Sequence, residues 1–305
     1  MGVAQERFPL VEIDSGSEIR AVTFSANGEE LVSADDESIR VWGVEVTKRM
    51  GATGIKCLAV SKDGEWIAAG TARDGVVVWD AKTNEKVFVH HVHNEVTGVD
   101  FSPDSTRVVA SFNHAAAVFH ITARKQVLLL DHKDRQSLVA AKYSPHGDRI
   151  ATATPTSIRV YNSSNGRLLL DIKVNVTPLY NTGLLWCNNH LFVTSDIKIK
   201  QIDSSTGSTV ATWAVPGLDG FSSIALPRHG KFIVYSTKHA VMFWDMETHT
   251  QLSVIRHGQV IRSITLSPDN RFLAVGGEGG KITIHSLTVS TVSSWILCIR
   301  TAFFL

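Results

Sequence analysis

Apolar and polar residues alternate with a period of two along most of the chain, in short runs separated by turn residues. Three such runs follow one another near the start, at Ile19–Ser25, Leu31–Ala34 and Ser38–Val44. A period of two is typical of strands with one buried face, whereas an amphipathic helix requires a period near 3.6. Asn27-Gly28, between the first two runs, is suited to the left-handed backbone of a tight turn. The pattern predicts an all-β protein made of short antiparallel strands.

Two columns of bulky residues recur along the chain and stay in phase over seven copies. The first column ends the first run of each unit, at Phe24, Val60, Phe101, Tyr143, Trp186, Leu226 and Leu266. The second lies in the third run, at Trp42, Trp79, Phe119, Tyr161, Ile202, Trp244 and His285. Successive members are 36 to 43 residues apart. This self-similarity indicates a repeat architecture.

Each repeat provides four strands, because a weaker fourth run follows the third. The clearest examples of this fourth run are Lys86–Val89, Gln126–Leu130, Arg167–Ile172 and Gln251–Ile255. Seven units of four antiparallel strands predict a seven-bladed β-propeller.

With these repeats, the chain resembles the WD-repeat family from about Phe8 to Leu287. The most specific motifs are Trp79-Asp80, Trp244-Asp245, Trp42, Ser102-Pro103-Asp104 and Ser267-Pro268-Asp269. Family blades often join a histidine, a Ser/Thr, an aspartate and the tryptophan by hydrogen bonds. The resemblance places histidines at 93, 132 and 257, while Asp36 accompanies Trp42 in a blade that lacks the histidine. We therefore expect the blades to depend on apolar packing between their sheets.

The whole chain is predicted to form one domain, residues 1–305, with seven blades over 15–287. Family propellers commonly take one outer strand from the N-terminal segment. The apolar run Phe8–Asp14 is suited to this role, so we expect the N-terminal strand to close the ring in blade seven. Residues 288–305 form an apolar tail. It could add a strand beside blade seven, dock on the propeller or mark the cut of a longer chain, and packing onto the propeller is the expectation.

Composition narrows the class of protein further. Because 44% of the residues are hydrophobic, the composition argues against a disordered chain. The formal net charge of +1 argues against binding to nucleic acid or to an anionic membrane through overall charge attraction. Cys57, Cys187 and Cys298 are scattered without CxxC spacing, so no disulfide framework or zinc site is predicted. No signal peptide or run of about 18 apolar residues is recognisable. The expected location is cytoplasmic, with the nucleus as an alternative.

Two local motifs invite a chemical interpretation that the repeats explain better. His90-His91-Val92-His93 places two imidazoles on one strand face, which could serve a metal, but no further ligand has suitable spacing. Gly276–Lys281 resembles a phosphate loop, yet Ile282 and a strand follow where Ser/Thr and a helix are required. No nucleophile elbow or HExxH motif occurs. We predict no catalytic residue, no metal and no cofactor.

The resemblance implies that partners bind the top face, which consists of the turns between second and third strands and the loops between blades. Blade one is acidic there, whereas the other blades contribute mainly basic side chains. The candidate partner-binding residues are Asp35, Asp36, Arg73, His114, Arg135, Lys238 and His239, with Glu37, Asn113 and Lys133 beside them. A face with an acidic and a basic arc is suited to a charged polypeptide.

Three function classes remain, and the fold alone does not choose between them. The favoured one is a non-catalytic scaffold that binds protein or peptide partners, as a module of a larger assembly. The alternatives are a reader of chromatin- or RNA-associated complexes and a propeller enzyme. Direct contact with nucleic acid or a membrane is not expected.

Overall fold

The computed structural model describes residues 11–43, 47–92, 94–132, 135–176, 183–195, 198–217, 223–227, 231–289 and 297–298. The fold is all-β: seven antiparallel four-stranded sheets are arranged as the blades of a ring. The predicted seven-bladed propeller is thereby confirmed.

Each blade runs outward from the centre of the ring. The innermost strands of blades one to seven are Ala21–Phe24, Ile55–Val60, Val96–Phe101, Ala140–Tyr143, Leu184–Cys187, Ile224–Ala225 and Ile261–Leu266. The second strands are Leu31–Ala34, Trp66–Thr71, Arg107–Phe112, Arg149–Thr154, His190–Ser195, Phe232–Ser236 and Phe272–Gly277. The third strands are Ser38–Trp42, Val76–Asp80, Ala115–His120, Ser157–Asn162, Lys198–Asp203, Ala240–Asp245 and Lys281–Ser286. The outer strands of blades one to six are Thr47–Gly51, Lys86–His90, Lys125–Asp131, Leu168–Lys173, Thr209–Ala214 and Gln251–Arg256.

The N-terminal strand closes the ring, as predicted. Val11–Asp14 is the outer strand of blade seven and pairs antiparallel with its third strand, from Val11 opposite Ile284 to Asp14 opposite Lys281. The junction continues at Ser15, whose hydroxyl donates to the Gly280 carbonyl at 2.8 Å. The first and last parts of the chain therefore share one sheet. Residues 8–10 of the predicted strand lie outside the described residues.

The C-terminal tail is described only in part. Thr288–Val289 pairs antiparallel with Leu297–Cys298 in a separate two-stranded sheet. The expectation that the tail packs onto the propeller concerns residues that are otherwise outside the described part, so it remains a prediction.

The core lies between blades rather than at the centre of the ring. Seven clusters of buried apolar residues occur in the described part, one for each neighbouring pair of blades. Trp79 is 1% exposed and packs in the cluster that joins Ile39 of blade one to Ile67 of blade two. Trp42 and Trp244, at the same column position, are half-buried. Burial of apolar area between sheets is the main stabilising contribution that the repeats provide.

Blade four contains more of the hydrogen-bond network that is typical of family blades than the sequence led us to expect. His132 Nε2 lies 2.9 Å from Thr152 Oγ1 and 3.1 Å from the hydroxyl of Tyr161, which takes the tryptophan's place. In blade one, Trp42 Nε1 donates to Ser33 Oγ at 2.8 Å without any histidine. Polar links therefore support individual blades, alongside the apolar packing.

A buried serine organises the turn between the first and second strands in five blades: Ser25, Ser61, Ser102, Ser144 and Ser267. Each hydroxyl accepts the backbone N–H five residues later and donates to an Asn or Asp of the turn. The side chain therefore supplies a hydrogen bond that the turn backbone lacks.

Replacing Ser267 by alanine is expected to lower the free energy of unfolding by about 1–2 kcal/mol, because the partly buried Phe272 N–H loses its acceptor. Ser267 is 1% exposed, and its hydroxyl is 2.9 Å from that nitrogen. Urea unfolding of Ser267→Ala measures the effect, with Ser164→Ala in an exposed turn as the control. Equal stability of the two variants would show that the serine does not hold the turn.

Candidate functional site

The top face consists of turns and loops that are hydrogen-bonded to one another through the backbone. Between blades one and two, Gly54 N–H donates to the Asp36 carbonyl at 2.6 Å. The equivalent bonds run from His132 to His114 at 2.9 Å and from His257 to His239 at 2.8 Å. In blades one, three and six, the turn between second and third strands is thus tied to the loop that enters the next blade. This layer holds the candidate side chains on one face of the ring.

Asp35 does not belong to the exposed part of this face. It is 3% exposed, and its Oδ1 accepts the backbone N–H groups of Glu37 and Ser38 at 2.8 and 2.7 Å. Its other oxygen pairs with Arg40 at 3.2 Å. A carboxylate that is fully engaged inside its own turn is a structural group, so we leave Asp35 out of the proposed binding surface.

Asp36 is exposed but belongs to an ion-pair network across blades seven and one. Both its carboxylate oxygens accept from Arg20 at 2.9 Å. This hydrogen bond, together with the positive charges of Arg20 and Lys56, keeps the pKa of Asp36 below its ordinary value despite partial burial. Glu18 then joins Arg20 to Arg262, at 2.9 Å from each, and Arg262 also pairs with Glu278. The acidic arc is therefore partly neutralised by its own arginines.

The side chains of the basic arc form fewer internal contacts than those of the acidic arc. Arg73, Arg135, Lys238 and His239 are exposed, and none of them forms an ion pair with another described residue. His114 is half-buried, and its Nδ1 has no hydrogen-bond partner in the part of the chain that is described. Lys133 lies outside the described residues. Unpaired cations at the surface are available for an anionic partner without breaking an internal contact.

Sequence reasoning missed the arginines of the network, although the repeat contained a signal. Arg20, Lys56 and Arg262 occupy the same position, directly after an isoleucine at the start of the first run. Lys56 also has an acidic partner, Glu95, at 3.1 Å. A basic residue repeated at one position indicated a ring of charges at the top face, but its carboxylate partners lie at unrelated sequence positions, in loops of the same or a neighbouring blade.

A second opening lies at the lower face, where first and second strands are joined. This cavity has a volume of about 590 Å³. Its lining includes five members of the first repeat column: Val60, Phe101, Tyr143, Trp186 and Leu226. Pro103, Pro145 and Pro227 stand beside them. The column was recognised in the sequence as a repeat marker, but not as the wall of a cavity.

The two motifs that invited a chemical interpretation have structural explanations. His90 stacks on Phe88, with ring centroids 6.2 Å apart, and meets Phe119 in a tilted contact at 4.5 Å; burial lowers its pKa. His93 is outside the described residues. Gly280 lies in the turn between second and third strands of blade seven at φ +77°, where a side chain would meet the backbone of Ser17. The glycine run therefore serves close packing against blade one.

Other reactive groups are few in the part of the chain that the structure describes. No three His, Cys, Asp or Glu side chains among these residues are grouped so that they could hold a metal ion. Burial raises the pKa of the Cys57 thiol to about 12, so that this thiol stays protonated. None of the described segments is a helix of the length and hydrophobicity needed to cross a membrane.

Two protein-family models match the chain. The model described as nucleolar protein 10-like, N-terminal domain, a β-propeller, matches residues 44–196, which is half of the chain. The model described as WD domain, G-beta repeat, matches residues 9–43 and 249–286. The second match covers both sides of the ring closure, the first blade and the last.

Similarity to curated proteins extends over most of the chain at low identity. Eukaryotic translation initiation factor 3 subunit I of Sclerotinia sclerotiorum is 21% identical, over 87% of this chain and 90% of that protein. The pre-rRNA-processing protein crb3/ipi3 of Schizosaccharomyces pombe is 20% identical, over 75% of this chain and 54% of its own length. Intraflagellar transport protein 122 homolog of Xenopus tropicalis is 19% identical, over 89% of this chain and 24% of its own.

Proposed function

Because the chain belongs to the WD-repeat β-propellers and, over residues 44–196, to the nucleolar protein 10-like, N-terminal domain family, we propose that it is a non-catalytic scaffold that binds protein partners through its top face. The partner is a charged polypeptide segment. It contacts the basic arc of Arg73, Arg135, Lys238 and His239 and the carboxylates of blade one that remain exposed, Asp36 and Glu37.

The observation that carries this proposal is the difference between the two arcs. On blade one and blade seven the charged side chains are engaged with one another, from Glu18 and Asp36 to Arg262. The basic-arc residues Arg73, Arg135 and Lys238, on blades two, four and six, form no ion pair within the part of the chain that the structure describes. A partner with an acidic segment therefore gains Coulomb energy on the basic arc and displaces no internal pair.

The relatives support a role as one module of an assembly. Their names refer to a subunit of a translation initiation factor and to pre-rRNA processing. We therefore extend the proposal to a complex that acts in translation or RNA processing, in the cytoplasm or the nucleus. Within that complex the chain contacts proteins, because its net charge of +1 provides no overall attraction to nucleic-acid phosphates.

The alternative function, a reader of RNA-associated complexes, differs from the scaffold in the molecule that the top face contacts. If the basic arc held RNA phosphates directly, affinity for RNA would fall steeply with salt concentration. We expect any RNA in the isolated complex to be lost together with the partner proteins and to show no salt-dependent binding to the purified propeller.

Affinity capture from the native cell tests the proposal. The tagged wild type is compared with the triple variant Arg73→Glu, Lys238→Glu, His239→Glu, which reverses the basic arc without touching the core. We expect the partners recovered with the wild type to fall by about tenfold or more in the variant, because like charges now face the acidic segment.

The matched control reverses three exposed residues of the lower face, Lys82→Glu, Lys125→Glu and His146→Glu. It carries the same change in net charge and is expected to retain the partners. Loss of the same partners from this control, with retention by the top-face variant, would place the binding surface on the opposite face and contradict the proposal.

A further inference from the structure

A cavity of about 410 Å³ lies between blade six and blade seven. The outer strand of blade six and the loop after it form one wall, and the third strand of blade seven forms the other. The N-terminal strand closes the outer side. The side chains that determine its chemistry are Glu12, Arg256, His257, Lys281, Thr283 and His285.

Polar atoms without a partner are concentrated in this cavity. His257 Nε2, Thr283 Oγ1 and both ring nitrogens of His285 are buried and have no hydrogen-bond partner in the described structure. His285 is 1% exposed and Thr283 is 7% exposed. Buried polar atoms are almost always hydrogen-bonded in folded proteins, because an unmet one carries a desolvation penalty. Four such atoms at one cavity point to a polar ligand that supplies part of the missing bonds.

The sequence creates this space at a position where other blades fill it. His285 occupies the second repeat column, which holds tryptophan in blades one, two and six. An imidazole is smaller than an indole and leaves room beside it. Thr283 and His285 alternate along one strand and so share a face. The His285 ring meets that of His257 edge-on, with ring centroids 5.4 Å apart.

The charge around the cavity favours a single negative group. Lys281 is paired with Glu12 across the closing strand, so these two charges cancel. Arg256 makes no ion pair with any residue that the structure describes, which leaves a formal charge of +1. A carboxylate matches this charge, whereas a phosphate dianion exceeds it.

We infer that this cavity binds a carboxylate side chain of the partner polypeptide, an inference that rests on the proposed function for the origin of that side chain. Arg256, the Thr283 hydroxyl and the imidazoles of His257 and His285 donate to its two oxygens. The cavity adjoins the basic arc, because the His257 N–H is bonded to the carbonyl of His239. An acidic residue of a segment lying on the top face can therefore enter it.

Binding is coupled to proton uptake. A neutral imidazole has one donor and one acceptor nitrogen, and a carboxylate can only accept. One ring nitrogen of His285 donates to the carboxylate, and the nearby negative charge favours the addition of a second proton to the ring. Burial, with the neighbouring His257, lowers the pKa of His285 to about 4 in the unliganded protein. The negative charge of the ligand raises the pKa of His285 again. The other charged groups that face the two histidines are Glu12, Lys281 and Arg256.

The test follows the histidine ring nitrogens by NMR while a capped glutamate, N-acetyl-glutamate N-methylamide, is added to the purified full chain at pH 6. The signals of His257 and His285 are expected to shift in a saturable manner and their pKa values to rise. The exposed His146 on the lower face serves as the internal control and stays unchanged. Thr283→Val keeps the side-chain shape and is expected to weaken binding about tenfold, as is Arg256→Gln.

Four results would overturn the inference. They are no saturable shift, equal binding of the capped glutamine, tighter binding of inorganic phosphate than of capped glutamate, and unchanged affinity in both variants. Failure here is distinguishable from failure of the proposed function. If capped glutamate binds while charge reversal of the basic arc leaves the captured partners unchanged, the cavity inference stands and the proposed function fails. If capped glutamate does not bind while charge reversal removes the partners, only the scaffold proposal stands.

Discussion

Truncation of Trp79 to alanine is expected to lower the free energy of unfolding by about 3–5 kcal/mol, a large fraction of the stability of an ordinary domain. The indole is 1% exposed and packs between blades one and two, against Ile39 and Ile67 among others. Its removal leaves a cavity that strands held in two ladders cannot close by a small movement. Chemical unfolding monitored by circular dichroism measures the loss.

The control for this prediction is Val210→Ala, on an outer strand where the side chain is 55% exposed. It is expected to change stability by less than about 0.5 kcal/mol. The packing explanation would be refuted by a Trp79→Ala protein that is as stable as this control, because the second repeat column would then not contribute to the contact between blades.

Acidification from pH 7 to pH 4 is expected to destabilise the fold by about 3 kcal/mol for each of His257 and His285. Burial lowers the pKa of both imidazoles to about 4 from an ordinary value of 6.5. Between these two pH values the unfolded chain binds more protons than the folded one, so stability falls as the pH falls. A buried neutral histidine must either stay uncharged or unfold the site.

Carboxylates do not produce the same effect in this pH range. The hydrogen bond from Arg20 keeps the pKa of Asp36 below 3.8, and the Thr83 N–H does so for Asp80. The stability that these groups contribute is present above their unfolded pKa of 3.8 and is lost only as the pH falls through their lower folded values. Histidines therefore dominate between pH 6.5 and pH 4.

The variant His285→Trp, which restores the residue type of the column, is expected to show a shallower loss of stability over this range. His90 titrates in both proteins, since burial lowers its pKa as well, so the difference between the two curves isolates the pair. His285→Asn is a second, smaller variant for the same comparison. Parallel curves for the wild type and both variants would show that the pair is not buried in its neutral form.

Much of the architecture could be predicted because each blade is a local unit. The run Leu31–Ala34 matches its strand at both ends, which follows from alternation along a few residues and from turn chemistry close by. The closing strand and its place in blade seven followed from the resemblance to the family together with the apolar run at the N-terminus. The two repeat columns also correspond to defined positions in the fold. Trp79, of the second column, packs between blades, and Phe101, of the first, lines the lower cavity.

The site could be predicted only in outline, because its chemistry is assembled across blades. Asp35 was indistinguishable in sequence from its exposed neighbour Asp36, although its carboxylate is turned into its own loop. The histidine pair comes from segments 28 residues apart, His257 and His285, whose rings meet edge-on between two blades. A sequence shows which residue types recur at a position, but not which cations lack a partner.

The most direct test of the central claim, that the top face binds the partner, is amide hydrogen–deuterium exchange of the protein with and without a captured partner. We expect slower exchange in the presence of the partner at residues 72–75 and 237–240 of the top face, with unchanged exchange in the lower-face turns at 102–106 and 144–148. Protection of those lower turns, with none at the top face, would contradict the account.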